Sequence, residues 1–419
     1  MVYNYFVKCA VCEKKTRIRL QIGYLKQHPI VVTCWNCGTS LTGEVNIEQD
    51  KLGVKVSFEN AEIVEKRSEE EYVMECSGEF PTIKLHKDID SFDITPFIRH
   101  VSRLESKEKI IEFRNDIFDL NKTIKNWPKY KRIFDLSEKN ISEKNNKYLV
   151  QELKKNIPEF VDPCQTKLEI LRAIHMIEII SFIEPLRKDI ISNLSVSESV
   201  CSLNLKQLTD LMMYLELHDG YRLKDMQSSI YKIEDEFVGV YQYLIPAYAV
   251  NFYKKDSFDY DTEGSATSDF ELVKNFYLDA YETLGNLLIL PIALDNIKYR
   301  NNFKVCDSQV MNRDQFSLDD FLKLGKGNRY HFSKSNELYT SYLNCDVSSK
   351  LRNAIGHNDV EYNKVSQQIT YIPNPKQRAN RENTYLLKFE SKAIDMFRSI
   401  LTISEYLYRI REVDIIKKL

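Results

Sequence analysis

Two groups of residues in this 419-residue chain have types and spacings that do chemistry. The first is a pair of Cys-x-x-Cys turns, Cys9-Ala-Val-Cys12 and Cys34-Trp-Asn-Cys37, with 21 residues between them. Each turn sets two sulfurs on one side of a tight loop. Together they supply four thiolates, the tetrahedral set that Zn²⁺ takes at about 2.3 Å. Four protein ligands leave no open position, so the expected cofactor is a structural Zn²⁺ held by Cys9, Cys12, Cys34 and Cys37. A redox or disulfide pair is the alternative, and no thioredoxin-like βαβ pattern lies nearby to support it. His28 falls between the turns and is read as a loop residue, because four cysteines already complete the shell.

The second group is Leu351-Arg352-Asn353-Ala354-Ile355-Gly356-His357-Asn358-Asp359, at the end of a predicted helix and just before a predicted hairpin. On a helix Asn353 and His357 share a face. Arg352 lies about 140° from His357 at 100° per residue, so only its long side chain can reach the same cleft. Two copies meeting across a two-fold axis would bring two such sets into one groove. The set suits metal-free cleavage of RNA. A base takes the proton of the ribose 2′-OH, which attacks the adjacent phosphate, and an acid protonates the 5′-oxygen that leaves. His serves in either role at neutral pH. Arg stays charged and matches phosphate oxygens, and Asn orients the imidazole or the phosphate. The expected products carry 2′,3′-cyclic phosphate and 5′-hydroxyl ends, and DNA resists. Structural roles compete: His357 as the cation at a helix C-terminus, Arg352 in a surface ion pair. His331 is read as a loop or core residue, His175 as a satisfied core histidine and Asp359 as turn chemistry.

Both groups carry a resemblance. The strand-like flanks Arg17-Ile-Arg-Leu-Gln-Ile22 and Pro29-Ile-Val-Val-Thr33 make the cysteine region resemble a zinc ribbon. Arg352-Asn-Ala-Ile-Gly-His357 resembles the R-x(4–6)-H signature of the HEPN superfamily in its R-N-x-x-x-H form. The resemblance implies a helical bundle over about 201–419 with two long antiparallel helices, the motif helix, a hairpin and a last helix. It implies a metal-independent endoribonuclease of the kind found in toxin–antitoxin, abortive-infection and CRISPR-associated systems, working as a homodimer with a composite site. Arg352, Asn353 and His357 are then the catalytic set, and catalysis needs no cofactor. A trigger or inhibitor protein is expected to restrain such an enzyme. The rival is a non-catalytic zinc-ribbon and HEPN-like protein that senses or scaffolds RNA or a protein partner. A nucleotidyl transferase is disfavoured, because neither a Gly-Ser pair followed by D-x-D nor a P-loop is present.

The elements that position these residues follow from composition. Gly (12) and Pro (11) are about 3% each, well under the usual share, which favours long helices. The fold class is mainly α. Residues 1–47 form the zinc ribbon, 48–93 a β-rich extension, 94–200 a helical middle region and 201–419 the HEPN-like domain. Gly53–Phe58 and Tyr72–Cys76 alternate as strands, and Pro96 opens the helical regime. Ile170, Ile174, Ile177 and Phe182 are spaced as on a helix, and Pro128, Pro158 and Pro163 are expected to punctuate the helices. Further helices are predicted near 222–253, 268–299, 336–357 and 391–417. Gln368–Ile372 and Thr384–Phe389 flank the hairpin tip. Residues 256–269 hold five acids and no base, which predicts a solvated loop.

The net charge is −2, which excludes a general polyanion binder, so RNA contacts must come from local patches. Lys376, Arg378 and Arg381 at the hairpin tip are the better candidates. Lys122–Arg132, with five bases and the aromatics Trp127 and Tyr130, is the second. The longest apolar run, Leu287–Leu294, is too short to span a bilayer and contains Pro291. Nine cysteines, five of them scattered singly, and no leader-like N-terminus fit a cytoplasmic protein with no membrane partner.

Overall fold

A computed structural model describes residues 1–48, 53–65, 72–87, 94–138, 143–158, 166–192, 199–312, 315–334, 337–343 and 346–418. Pro163 and the 88–93 and 344–345 stretches lie outside them. The described chain is mainly helical, with small sheets concentrated at the N-terminus. It divides into two compact units, each assembled from three stretches. Among the described residues no helix is long and apolar enough to cross a membrane.

Unit 1 comprises Met1–Asn115, Gly239–Leu278 and Lys350–Ile394. Its first four strands are β1 (Val2–Cys9), β2 (Lys15–Gln21), β3 (Gln27–Thr33) and β4 (Ser40–Glu48). β1 and β2 form one antiparallel hairpin, β3 and β4 another, and each Cys-x-x-Cys turn is a hairpin turn. Alternation explains the strands: in β2, Ile18 and Leu20 are buried while Lys15 and Arg17 are only half covered. β5 (Gly53–Phe58) extends the second hairpin, and β6 (Ala61–Val64) and β7 (Tyr72–Ser77) flank the first. With β9 (His86–Lys87) the first sheet runs β6-β1-β2-β7-β9, while β8 (Thr82–Ile83) lies outside it. Val7, Ile18, Leu20, Ile30, Val32, Leu41, Val45 and Met74 share one core with Cys9 and Cys34. Burying each large side chain there contributes about 1.5–3 kcal/mol. His28 is not in a loop: it lies in β3, 2% exposed, against Gly78, where any Cβ would strike its ring.

The acidic stretch 256–269 is solvated only in its first half. Glu263–Gly264 form β10, paired with β8, and Ser265, Ala266, Thr267 and Ser268 are buried. The carboxylate of Glu263 is held by both terminal nitrogens of Arg103 at 2.8 and 2.5 Å. The side chain of Gln367 bonds the backbone N–H and C=O of Ser265 at 2.8 and 2.6 Å. Small residues let the chain run beneath these partners, which charge counting does not reveal. The last sheet is three-stranded rather than a simple hairpin, with β11 (Val360–Asn363), β12 (Gln368–Tyr371) and β13 (Glu382–Tyr385). Leu386 already begins the C-terminal helix, Leu386–Lys417, five residues before its expected start at 391.

Unit 2 comprises Asp116–Val238, Asp279–Ser349 and Asp395–Leu419. The helix Glu108–Glu138 runs straight through Pro128, because Trp127, Tyr130, Ile133 and Phe134 bury that face. Packing there outweighs the lost hydrogen bond. Thr166 and Glu169 form a capping box that starts the helix Lys167–Glu178. A π turn, Ile179–Ile183, follows just before Pro185. The region 268–299 splits into Phe270–Leu287 and Ile289–Arg300, which places Pro291 in a first turn, where its missing N–H costs little. Ser317 and Asp320 cap Leu318–Lys323 as a second capping box. Phe237 stacks on Phe397 at 4.0 Å, and Phe134 on Tyr231 at 4.1 Å.

Candidate metal centre and motif helix

The four cysteine sulfurs lie within 4.8 Å of one another. Cys9 and Cys37 Sγ are 3.7 Å apart, and Cys12 and Cys34 Sγ 3.5 Å apart. A disulfide would need about 2.05 Å, whereas sulfurs at the corners of a tetrahedron with 2.3 Å bonds sit about 3.8 Å apart. The two turns are built alike. Cys9 N–H donates to Lys14 O and Glu13 N–H to Cys9 O, while Cys34 N–H donates to Thr39 O and Gly38 N–H to Cys34 O, all at 2.9–3.0 Å. The residue after each second cysteine is left-handed, Glu13 at φ 61 and Gly38 at φ 70. Val11 N–H points at Cys9 Sγ, 3.4 Å away. Burial pushes the Cys34 thiol up to about 12, while hydrogen bonding by Thr39 lowers Cys37 to about 6. The four sulfurs are placed so that together they could hold one metal ion.

Arg352, Asn353 and His357 lie at the end of one short helix, Ser349–Gly356. Its inner face is Leu351, Ala354 and Ile355, all buried. The long helix expected over 336–357 is absent. Leu338–Ser341 is a separate turn, and Asp346, Val347 and Ser348, weak helix formers, are not helical. The helix ends in a Schellman cap. Asn358 is left-handed at φ 58, Asp359 N–H donates to Ala354 O at 2.9 Å, and Asn358 N–H to Ile355 O at 3.2 Å. His357 is thereby the C-cap residue, with its N–H on Asn353 O at 3.0 Å. Asn353 and His357 are exposed and Arg352 is half-buried. Arg352 Nη1 lies 3.5 Å from Asn353 Oδ1. The negative end of the helix favours cations at 352 and 357. Asp359 closes onto the last sheet, its O accepting from Ile372 N–H at 3.1 Å.

The candidate RNA contacts are less available than their charges suggest. Arg378 pairs with Asp359 at 2.6 Å and Arg381 with Glu361 at 2.9 Å. Lys376 is exposed and makes no ion pair among the described residues. In the 122–132 patch Trp127 and Tyr130 are buried, so neither offers a ring to a base. Lys131 is tied to Asp235 at 2.5 Å.

Several charged groups have spacings that the sequence does not display. His175 is indeed a satisfied core histidine: Nδ1 meets Glu178 at 2.8 Å, Nε2 meets Glu405 at 2.6 Å, and the ring stacks on Tyr408 at 3.8 Å. Glu75, wholly buried, takes Arg19 at 3.0 Å, Arg99, and the N–H of Ile83 at 3.0 Å. Lys84 donates to the carbonyls of Tyr260, Asp261 and Ser366, so one ammonium joins all three stretches of unit 1. A polar cleft of about 220 Å³ in unit 2 is lined by Arg187, Asp189, Tyr342, Asp395 and Arg398. Arg187 spends its donors on Asp189, Thr402 and the carbonyls of Arg398 and Tyr342, so it is no anion receptor. His331 is exposed.

No family model, no curated protein and no solved structure matches this chain.

Proposed function

We propose that the chain is a metal-independent endoribonuclease of HEPN type, with Arg352, Asn353 and His357 as its catalytic set. The observation that carries this reading is the exposed, capped end of the helix Ser349–Gly356. There a guanidinium, a carboxamide and an imidazole stand within one helical turn and a half, facing solvent or half so. His357 moves the protons, taking one from a ribose 2′-OH or giving one to the 5′-oxygen. Arg352 stabilises charge on the phosphorane, and Asn353 orients. One chain supplies a single such imidazole, so the acid and the base come from two copies in a homodimer. The proposed cofactor is Zn²⁺ on Cys9, Cys12, Cys34 and Cys37. It is structural, since four thiolates fill its shell and two of them belong to the core of unit 1. By the same resemblance the enzyme is a toxin or abortive-infection effector of the cytoplasm.

The ion pairing of Arg378 and Arg381 favours a second reading, a non-catalytic protein that scaffolds RNA or a partner. One experiment separates the two. Purified chain and a His357→Ala variant are incubated with total RNA, with EDTA added together with the RNA so that tightly held metal is not stripped. The nuclease reading expects cyclic-phosphate and 5′-hydroxyl ends from the wild type alone. Cleavage that requires Mg²⁺, or that His357→Ala retains, refutes it.

A further inference from the structure

We infer that Gly356 is a positioning residue for this reaction: its bare Cα is the seat on which the Arg352 guanidinium lies beside His357. The inference rests on the ribonuclease reading and adds a residue to it. Helix geometry poses the problem, since positions 352 and 357 point about 140° apart. Position 356 is four residues beyond 352 and directly in line with it on the helix surface. Helical side chains normally lean toward the N-terminus, which would carry Arg352 away from His357.

In the structure the guanidinium runs the other way. A Cβ at position 356 would stand 3.3 Å from Arg352 Nη1 and 3.9 Å from Arg352 Cζ. Chain neighbours and the helix's own backbone aside, those are the only heavy atoms of the described residues within 4 Å. Gly356 is not left-handed, unlike Gly38 and Gly220, so no backbone constraint calls for glycine there. Glycine also weakens a helix relative to alanine. The feature that accounts for it is the space it leaves for Arg352. Seated there, the guanidinium lies over the residue that immediately precedes His357. A side chain at 356 would lift it off the helix end.

The test is a double-mutant cycle on the full chain, read as single-turnover formation of 5′-hydroxyl ends on total RNA with enzyme in excess. Gly356→Leu fills the seat with a good helix former, and Gly356→Ala crowds it by a few tenths of an ångström. With arginine at 352, Gly356→Leu is expected to slow cleavage by about tenfold to a hundredfold, as for an ångström-scale misplacement of a reacting group. Gly356→Ala is expected to fall between Leu and wild type. Both variants should melt at or above the wild-type temperature. In an Arg352→Ala chain, Gly356→Leu should change the residual rate by less than twofold, because the group it displaces is gone. Wild-type cleavage by Gly356→Leu overturns the inference. So does a penalty of equal size in both backgrounds. Arg352→Ala cleaving at the wild-type rate overturns the ribonuclease reading itself.

Discussion

Replacing His175 by glutamine removes a charge from the middle of unit 2 without opening a large hole. The imidazole is 3% exposed and bridges Glu178 and Glu405, which also accept from Gln227, Ser404 and Arg409. Burial opposes its charge, but the two carboxylate hydrogen bonds outweigh burial and push His175 up to about 9. A histidine with a folded-state pKa above its unfolded value near 6.5 stabilises the fold fully below pH 6.5. That contribution is lost as pH rises through 9. The difference corresponds to about 3 kcal/mol at 1.36 kcal/mol per unit. Buried carboxyls slope the same way: burial raises Glu79 to about 7, Asp295 to about 7 and Glu390 to about 8. The useful quantity is therefore wild type minus variant. Urea unfolding at pH 6 and pH 9.5 should show His175→Gln destabilised by about 3 kcal/mol at the lower pH, shrinking to under about 1 kcal/mol at the higher. A difference that stays constant across that range would show that His175 acts through shape and not charge.

Two further outcomes follow from buried groups. Glu75→Gln leaves Arg19 and Arg99 facing each other without their shared carboxylate, and chemical denaturation should show a loss of about 3–5 kcal/mol. A loss under about 1 kcal/mol would mean that water reaches the pair. Cys12→Ser breaks the thiolate shell, so elemental analysis should find bound zinc falling from one per chain to none, with a lower melting temperature. The free energy at stake in such knuckles is on the order of 10 kcal/mol. Full zinc occupancy in Cys12→Ser would contradict the ligand assignment.

What the sequence discloses here is what is encoded locally. The cysteine cluster is legible because a Cys-x-x-Cys turn carries its own geometry, although the left-handed Glu13 is not. The end of the motif helix is set by Asn358, whose type tolerates the left-handed conformation, and the capping box is legible from Ser317 and Asp320. Features decided by distant partners are not legible. The burial of His28 depends on Gly78, in the bend that follows β7. The burial of 263–268 depends on Arg103 and Gln367, far away in the chain. Trp127 reads as a base-stacking aromatic until its burial beside Pro128 is known. The charges of Arg378 and Arg381 read as free until β11 brings Asp359 and Glu361 across to meet them. The non-helical stretch 346–348 has no strong signal, since no proline or glycine stands in it.

The most direct test of the central claim is end-sequencing of RNA after induced expression of the wild-type chain beside His357→Ala. Expected are new 5′-hydroxyl and 2′,3′-cyclic phosphate ends that vanish in the variant while protein level and melting temperature stay the same. The same ends at undiminished frequency in His357→Ala, or no new ends from the wild type, would contradict it.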